Sequence, residues 1–447
     1  MNAYGPRRMV DIDIAQPISG LQADPGFAGA FAVVWRDGSP LCTLDIQDGE
    51  LPLSPAAVLQ RILQRAVPAL GWRLFGEDFA GHPPLPPGKP HNRSSPDLSA
   101  ILDAADLLGL LDRSLEQEAR VDGPTVSLII CTRDRPKQLA TCLRAVSALR
   151  PPPEEVIVVN NSPSDKATEA VVREFPDIRY LLEPKPGLSA ARNAGIAVAS
   201  GELIAFTDDD VQVTENWISR IQQALADPDH MAMSGLMLPS ELETEAQVAF
   251  QSRRKRGIPL PYRPLTFDSA FFEGWRSRGV PCWLIGAGAN MAFRRQVFDS
   301  VGLFDERLGA GAAGCSEDSE MWYRILSRGH SCRYDPACVV RHSHRRTVEE
   351  ARSQAFLYMR GHVTALVVQA VEHGHLGNLN RLFVKLPWYY LQESLGVLWH
   401  GFDINARLTL WEMMGVPAGL CYAAAQLWRP KHRAIDRLRA DLAPTAQ

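Results

Sequence analysis

The sequence predicts an α/β protein built on a doubly wound sheet, and three observations predict it. Continuous apolar runs recur at 125–132 (TVSLIICT), 155–161 (EVIVVNN) and 202–210 (ELIAFTDDD, apolar until its acidic end). Helix-like stretches separate them at 136–149 (PKQLATCLRAVSAL), 166–175 (KATEAVVREF) and 188–199 (LSAARNAGIAVA), with a further short strand at 178–183 (IRYLLE). The composition is that of a globular chain: 447 residues, 46% hydrophobic and 22% charged. A run that is apolar at every position suits a strand covered on both faces. Strand–helix alternation then gives a parallel sheet with helices on each side.

Taken in order, residues 31–46 (FAVVWRDGSPLCTLDI) read as two strands joined around Asp37-Gly38, a hairpin dipeptide. Ser54-Pro55 opens a helix as N-cap and first helical residue. These elements define an N-terminal β-β-α accessory unit at 1–75, without an assigned function beyond docking. Six prolines at 83, 84, 86, 87, 90 and 96 make 76–97 a stiff, extended linker. LSAILDAADLLGLLDRSL then repeats its Leu and Ile at helical spacing. A catalytic domain is expected over 98–350 and a helical, aromatic C-terminal region over 351–447.

Charge and cysteine usage exclude several classes. With 47 Lys+Arg against 51 Asp+Glu and a formal net charge of −4, the chain is not a dedicated nucleic-acid binder. Its eight Cys include no C-x-x-C pair, so neither a zinc knuckle nor a disulfide framework is expected, and a reducing, cytoplasmic compartment fits. The N-terminus has Arg7 and Arg8 but no apolar segment of signal-peptide type behind them. Residues 413–428 (MMGVPAGLCYAAAQLW) form the most membrane-like stretch, interrupted by Pro417 and Gly419, and are expected to lie on a bilayer rather than cross it.

Doubly wound sheets bind ligands at the carboxyl ends of their strands. There the sequence places Asp208, Asp209 and Asp210. Adjacent carboxylates repel unless solvated or bridged by a cation, and hard oxygen ligands suit Mg²⁺ or Mn²⁺. Alternation along an extended segment would turn Asp208 and Asp210 to the same side. The other reading is an acidic turn before a helix starting near Thr214.

The ordered set VSLIICTRDRP, EVIVVNNSPSD, PGLSAARNAGIAVASGELIAFTDDDV, GAGANMAFRR and GCSEDSEMWYRI, across about 124–345, resembles glycosyltransferase family 2. The resemblance implies a GT-A nucleotide-sugar fold and an inverting transferase that moves a sugar from a nucleotide-diphosphate donor to an acceptor hydroxyl. It implies a metal site of Asp208, Asp210 and His342 for Mg²⁺ or Mn²⁺. It also implies donor contacts from Thr132, Arg133, Asn160, Asn161, Lys185, Arg192, Asp208 and Asp209. Asp318 would be the general base with Glu317 beside it. The family's acid pair after the second strand reads Asn160-Asn161 here. An amide offers a carbonyl oxygen but adds a donor that a carboxylate lacks.

Plainer readings stand beside these. Arg192 could be a helix-surface arginine, and Glu317-Asp318 could simply favour a helix dipole. The glycine run 309–314 could be a connector. His342 and His344 could be structural. The resemblance also implies that Asn290 borders the acceptor sugar, and Trp275 and Trp283 could stack on a sugar face or be buried core tryptophans.

The acceptor could be a carbohydrate, a lipid-linked molecule or a small molecule. Past 350, aromatic residues followed by the basic tail RPKHRAIDRLR fit either a peripheral contact with the inner face of a membrane or a helical lid or dimer contact. Two rival functions remain: a nucleotidyl- or sugar-phosphate transferase on a similar sheet, and a non-catalytic nucleotide- or membrane-binding scaffold.

Overall fold

The computed structural model describes residues 4–36, 38–75, 83, 84, 86, 123–256 and 261–442. Asp37, most of the proline-rich linker and the helical stretch after it lie outside the described residues.

The N-terminal unit contains β1 (Arg8–Asp13), β2 (Gly29–Arg36), β3 (Ser39–Gln47) and α1 (Pro55–Phe75). β1 runs parallel to β2, a strand the sequence reading missed, and β2 pairs antiparallel with β3. Ser54 caps α1, its Oγ accepting from the Ala57 N–H at 3.3 Å. Period-two alternation gives β2 two apolar faces. Ala32 and Val34 pack with Val58, Ile62 and Ala66 of α1, while Phe31 and Val33 pack on Leu236, Leu238 and Val339 of the large sheet. The unit is thus seated on its neighbour. An Arg7–Leu242 backbone bond of 2.7 Å and an Arg341–Asp11 ion pair of 2.6 Å reinforce the contact.

The large sheet begins with β4 (Val126–Thr132), α2 (Pro136–Ser147), β5 (Glu155–Asn161), α3 (Ala167–Arg173), β6 (Ile178–Glu183), α4 (Leu188–Val198) and β7 (Leu203–Asp208). β4 is buried at every residue. Its alternation sends Leu128 and Ile130 toward α2, and Ile129 toward α4 with Ile157, Ile204 and Phe206. Strands β6, β5, β4 and β7 lie side by side and parallel, as the doubly wound reading requires.

The other half is mixed. It adds β8 (Val211–Val213), α5 (Trp217–Ala224), β9 (His230–Pro239), α6 (Glu245–Arg256), β10 (Leu265–Phe267), β11 (Asn290–Arg294), α7 (Glu317–Ser327) and β12 (Ser331–His342). β11 is antiparallel to both β7 and β9, and β12 runs parallel to β9. This brings His342, at the end of β12, onto β8 directly after the Asp triplet, in register with Val211.

The C-terminal region holds α8 (Val348–His373), α9 (Leu386–His400), α10 (Ile404–Gln426) and α11 (Ile435–Leu442). The expected interruption at Pro417 and Gly419 does not occur, since α10 is continuous through both. Glycine serves close packing instead. A Cβ on Gly419 would lie 2.7 Å from the Arg360 carbonyl oxygen, and one on Gly415 2.6 Å from that of Phe356. No helix among the described residues is long and apolar enough to cross a membrane.

Two cations of the basic tail face protein acids: Lys431 meets Glu320 and Glu372 at 3.2 Å, and Arg433 meets Glu183 at 2.7 Å. Leu438 of α11 is buried in the same core as Ile196 and Ala197 of α4.

Candidate active site

The carboxyl ends of β4, β5 and β7 are adjacent, with Thr132 opposite Asn160 and Cys131 opposite Asp208. The three aspartates separate by direction. Asp209 turns inward, accepting from the Thr132 hydroxyl at 2.7 Å and from Arg135 Nη1 at 2.6 Å. Burial pushes its carboxyl up to about 6 although Arg135 opposes the shift. Thr132 and Asp209 are therefore committed to each other.

Asp210 accepts from Arg135 at 2.9 Å, and its Oδ1 lies 3.3 Å from His342 Nε2, with Arg345 at 3.7 Å. Burial works against ionisation, yet His342 and the two arginines hold this carboxyl below the ordinary aspartate range. Asp208 is the most accessible of the three, with its Oδ1 3.5 Å from Arg192 Nη2. Burial raises it despite that arginine.

Arg192 connects this cluster to α7. It is 2% exposed, so it is no surface arginine, and its Nη1 meets Glu317 Oε1 at 2.6 Å. The guanidinium also lies over Phe206 and Phe304, at 5.7 and 5.5 Å from the ring centres. Gly288 leaves room for it, since a Cβ there would stand 2.8 Å from Arg192 Nη2.

Asp318 starts α7 beside Glu317. Its Oδ2 accepts from the Gly288 N–H at 2.8 Å and its Oδ1 from the Ser319 N–H at 2.6 Å. Burial, with Glu317 next to it, pushes the Asp318 carboxyl up to about 6. A carboxylate poised near neutrality is suited to accept a proton. The glycine run before α7 folds back on the α4 entry, the Leu188 N–H donating to the Ala310 carbonyl at 2.9 Å.

Other expected positions differ. Asn161 accepts from the Gly187 N–H at 2.8 Å and donates to the Lys185 carbonyl at 2.7 Å, so its amide braces the 183–187 loop. Asn160 is fully buried. It donates to Tyr180 Oη at 3.0 Å, while its Oδ1 has no partner among the described residues. Lys185 pairs with Glu306, and half-exposed Arg133 lies 3.7 Å from Asp134.

Asn290 does not border a sugar. It is buried, accepting from Trp217 Nε1 at 3.0 Å and donating to the Leu236 and Cys338 carbonyls. A strand centre needs its polar side chain satisfied, and these three bonds do so. Trp283 is covered by Arg381, whose Cζ is 3.9 Å from the ring centre, and Trp275 donates to the Pro84 carbonyl.

Sequence reasoning missed Arg135, although it lies three residues past Thr132 at a strand end, where an acid cluster needs cations. It also missed Gly288, which only the three-dimensional approach of Arg192 reveals. Among the described residues no three His, Cys, Asp or Glu side chains form a metal-ready group.

The sequence pattern of glycosyltransferase family 2 matches residues 127–302. The chain carries a glycosyltransferase family 2 domain. Asp318 and His342 lie beyond the matched residues. The O-antigen biosynthesis protein RfbC of Myxococcus xanthus is 28% identical over 215 residues, 46% of this chain and 16% of that protein. A pre-mycofactocin glycosyltransferase of Mycobacterium tuberculosis is 26% identical over 240 residues, 53% of this chain and 47% of its own. The chain thus spans less than half the length of these relatives. A solved mannosyltransferase from Pyrobaculum calidifontis, in complex with GDP-Man and Mn²⁺, superposes with a TM-score of 0.46 at 18% identity, covering 68% of this chain and 88% of that one.

Proposed function

We propose that this protein is an inverting glycosyltransferase that moves one sugar from a nucleoside-diphosphate sugar to an acceptor hydroxyl, with Asp318 as general base. The observation that carries the proposal is a single connected frame: Asp208 at the donor strand end, Arg192 across to Glu317, and Asp318 held by the Gly288 N–H. Donor-side and acceptor-side groups are fixed relative to each other, and fixed geometry supplies much of catalysis.

The residues present are of the donor types a divalent cation takes, although among the described residues no three of them are gathered as ligands. Asp208, Asp209 and Asp210 at the strand ends and Glu317 and Asp318 at the start of α7 bring five carboxyl groups to the site, against three guanidinium groups from Arg135, Arg192 and Arg345. Ionised, they leave a surplus of two negative charges, which one Mg²⁺ or Mn²⁺ would balance. Asp208, Asp210 and His342 would hold the ion. When bound, it supplies charge neutralisation for the departing nucleoside diphosphate.

The chain's own residues do the rest. Arg192 pairs with Glu317 and so holds the start of α7 in place. The Gly288 and Ser319 N–H groups aim the Asp318 carboxylate, which takes the acceptor hydroxyl's proton during attack on the anomeric carbon. The acceptor is a carbohydrate, a lipid-linked molecule or a small molecule. A peripheral lipid contact is supported by exposed Phe383, Val384, Trp388, Leu391, Leu395 and Trp411 in the C-terminal helical region. Pelleting with anionic and neutral vesicles tests this contact, and equal binding by a Trp388→Ser/Leu391→Ser variant would refute it.

The deciding experiment for the function is product analysis after incubation with nucleoside-diphosphate sugars and Mn²⁺. Nucleoside diphosphate released by the wild type but not by Asp318→Asn supports the transferase. Pyrophosphate or a nucleoside monophosphate indicates a nucleotidyl- or sugar-phosphate transferase, and no product indicates a scaffold.

A further inference from the structure

We infer that Arg381, seated on Trp283, binds an oxyanion, a carboxylate or phosphate group carried by the acceptor. That the anion belongs to the acceptor rests on the transferase reading above; that Arg381 binds one does not.

Buried arginines elsewhere in the fold are paired with carboxylates. Arg192 meets Glu317 at 2.6 Å, Arg307 meets Asp305 at 2.6 Å and Arg324 meets Glu320 at 2.8 Å. Arg381, half-buried, departs from this pattern. Its Nε is buried without a hydrogen-bond partner, and among the described residues no carboxylate or carbonyl pairs with its guanidinium. Drawing a charge out of water without a counter-ion is costly. Burial pushes the group down to about 10, so it keeps its charge at neutral pH.

The position is nevertheless built. Arg381 Cζ lies 3.9 Å from the centre of the Trp283 ring, a cation–π contact, and that ring meets His362 edge-on at 4.9 Å. A Cβ on Gly279 would stand 2.7 Å from the Arg381 Cβ, so the bare glycine admits the close approach. Arg381 also opens the π-helical turn Arg381–Lys385, a geometry frequent at functional sites. A guanidinium that gives no N–H to the protein keeps its donors for a carboxylate or phosphate, which it meets as a planar fork.

The surroundings lead to the general base. Trp283 precedes Gly288, whose N–H holds Asp318, and a Cβ on Gly286 between them would lie 3.6 Å from Trp322 of α7. His362 follows Gly361, where a Cβ would lie 2.6 Å from the Cys315 nitrogen, three residues before Asp318. One turn earlier on α8, the exposed Tyr358 accepts at its carbonyl from Cys315 Sγ at 3.1 Å. Arg381 is thus joined to Asp318 through segments that carry none of the donor residues.

The test labels the full chain with 5-fluorotryptophan and follows the Trp283 line by ¹⁹F NMR, a Trp283→Phe sample giving the assignment. Glucose 6-phosphate and glucuronate should move the line at concentrations ~10-fold or more below those of glucose, the scale of one charged hydrogen bond. Arg381→Met keeps an apolar stem over Trp283. It should lose this preference, melt no lower than wild type, and raise KM for anionic acceptors by ~10-fold with kcat little changed. Arg381→Lys, a charge without the fork, should keep part of the affinity. Anionic probes no better than glucose overturn the inference, as does Arg381→Met binding them like wild type. The full shift from inorganic phosphate alone, or from phosphatidylglycerol vesicles but neither soluble anion, makes this a free-ion or lipid-headgroup site and overturns its assignment to the acceptor. An anion preference in a protein that transfers no sugar upholds the oxyanion site and overturns the transferase reading instead.

Discussion

Asp318→Asn separates what Asp318 does for catalysis from what it costs the fold. Its carboxyl is raised from 3.8 to about 6, because burial and Glu317 disfavour its charge. At about 1.4 kcal/mol per pKa unit, an ionised Asp318 weakens the native state by at most about 3 kcal/mol. The sign follows from linkage. The folded protein holds this proton more tightly than the unfolded chain. The contribution of the protonated form is therefore complete below about pH 4 and is lost as pH rises through about 6. Asparagine cannot ionise and escapes that loss. It keeps only one acceptor oxygen for the two N–H groups of Gly288 and Ser319, however, which costs about 1–2 kcal/mol. The variant should be more stable than wild type by about 1 kcal/mol above pH 7 and no more stable near pH 4.5, as denaturant melts at both pH values would read. Its kcat should fall by ~10²-fold or more with donor affinity retained. A stability difference independent of pH, or a rate close to wild type, would refute the reasoning.

Three further outcomes follow from named contacts. Arg192→Met leaves Glu317 buried without its cation and should cost about 3–5 kcal/mol by denaturant melt; a loss below 1 kcal/mol would show the pair to be dispensable. Gly288→Ala places a methyl against a guanidinium with little room to move, so kcat should drop while the melting temperature moves little, and an unaltered kcat contradicts the frame. Gly419→Leu drives a side chain into Arg360 and Val363, and thermal melts should show a destabilisation of about 1–3 kcal/mol.

Much of the parallel half was legible because its signal is local. β4 is buried on both faces, so its residues are apolar without interruption and end at the first functional position. β9 and β11 lack that signal. Their pairing is antiparallel and non-local, Met291 lying opposite Phe206 on one side and Ser234 on the other. No neighbouring turn announces such partners. The acid residues of the site could be found because carboxylates at strand ends are chemically conspicuous. Asn290 was misread, and the loop-bracing contacts of Asn161 went unseen, for the opposite reason. A buried amide bracing a loop or a strand has the same letter as one facing a ligand, and only its partners tell them apart.

Phosphorus NMR of the wild-type protein with a panel of nucleoside-diphosphate sugars and Mn²⁺ tests the central claim most directly, slow transfer to water serving where an acceptor is lacking. The account predicts accumulation of a nucleoside diphosphate that stops in Asp210→Ala and Asp318→Asn. Accumulation of pyrophosphate or a nucleoside monophosphate, or equal turnover by those variants, would contradict it.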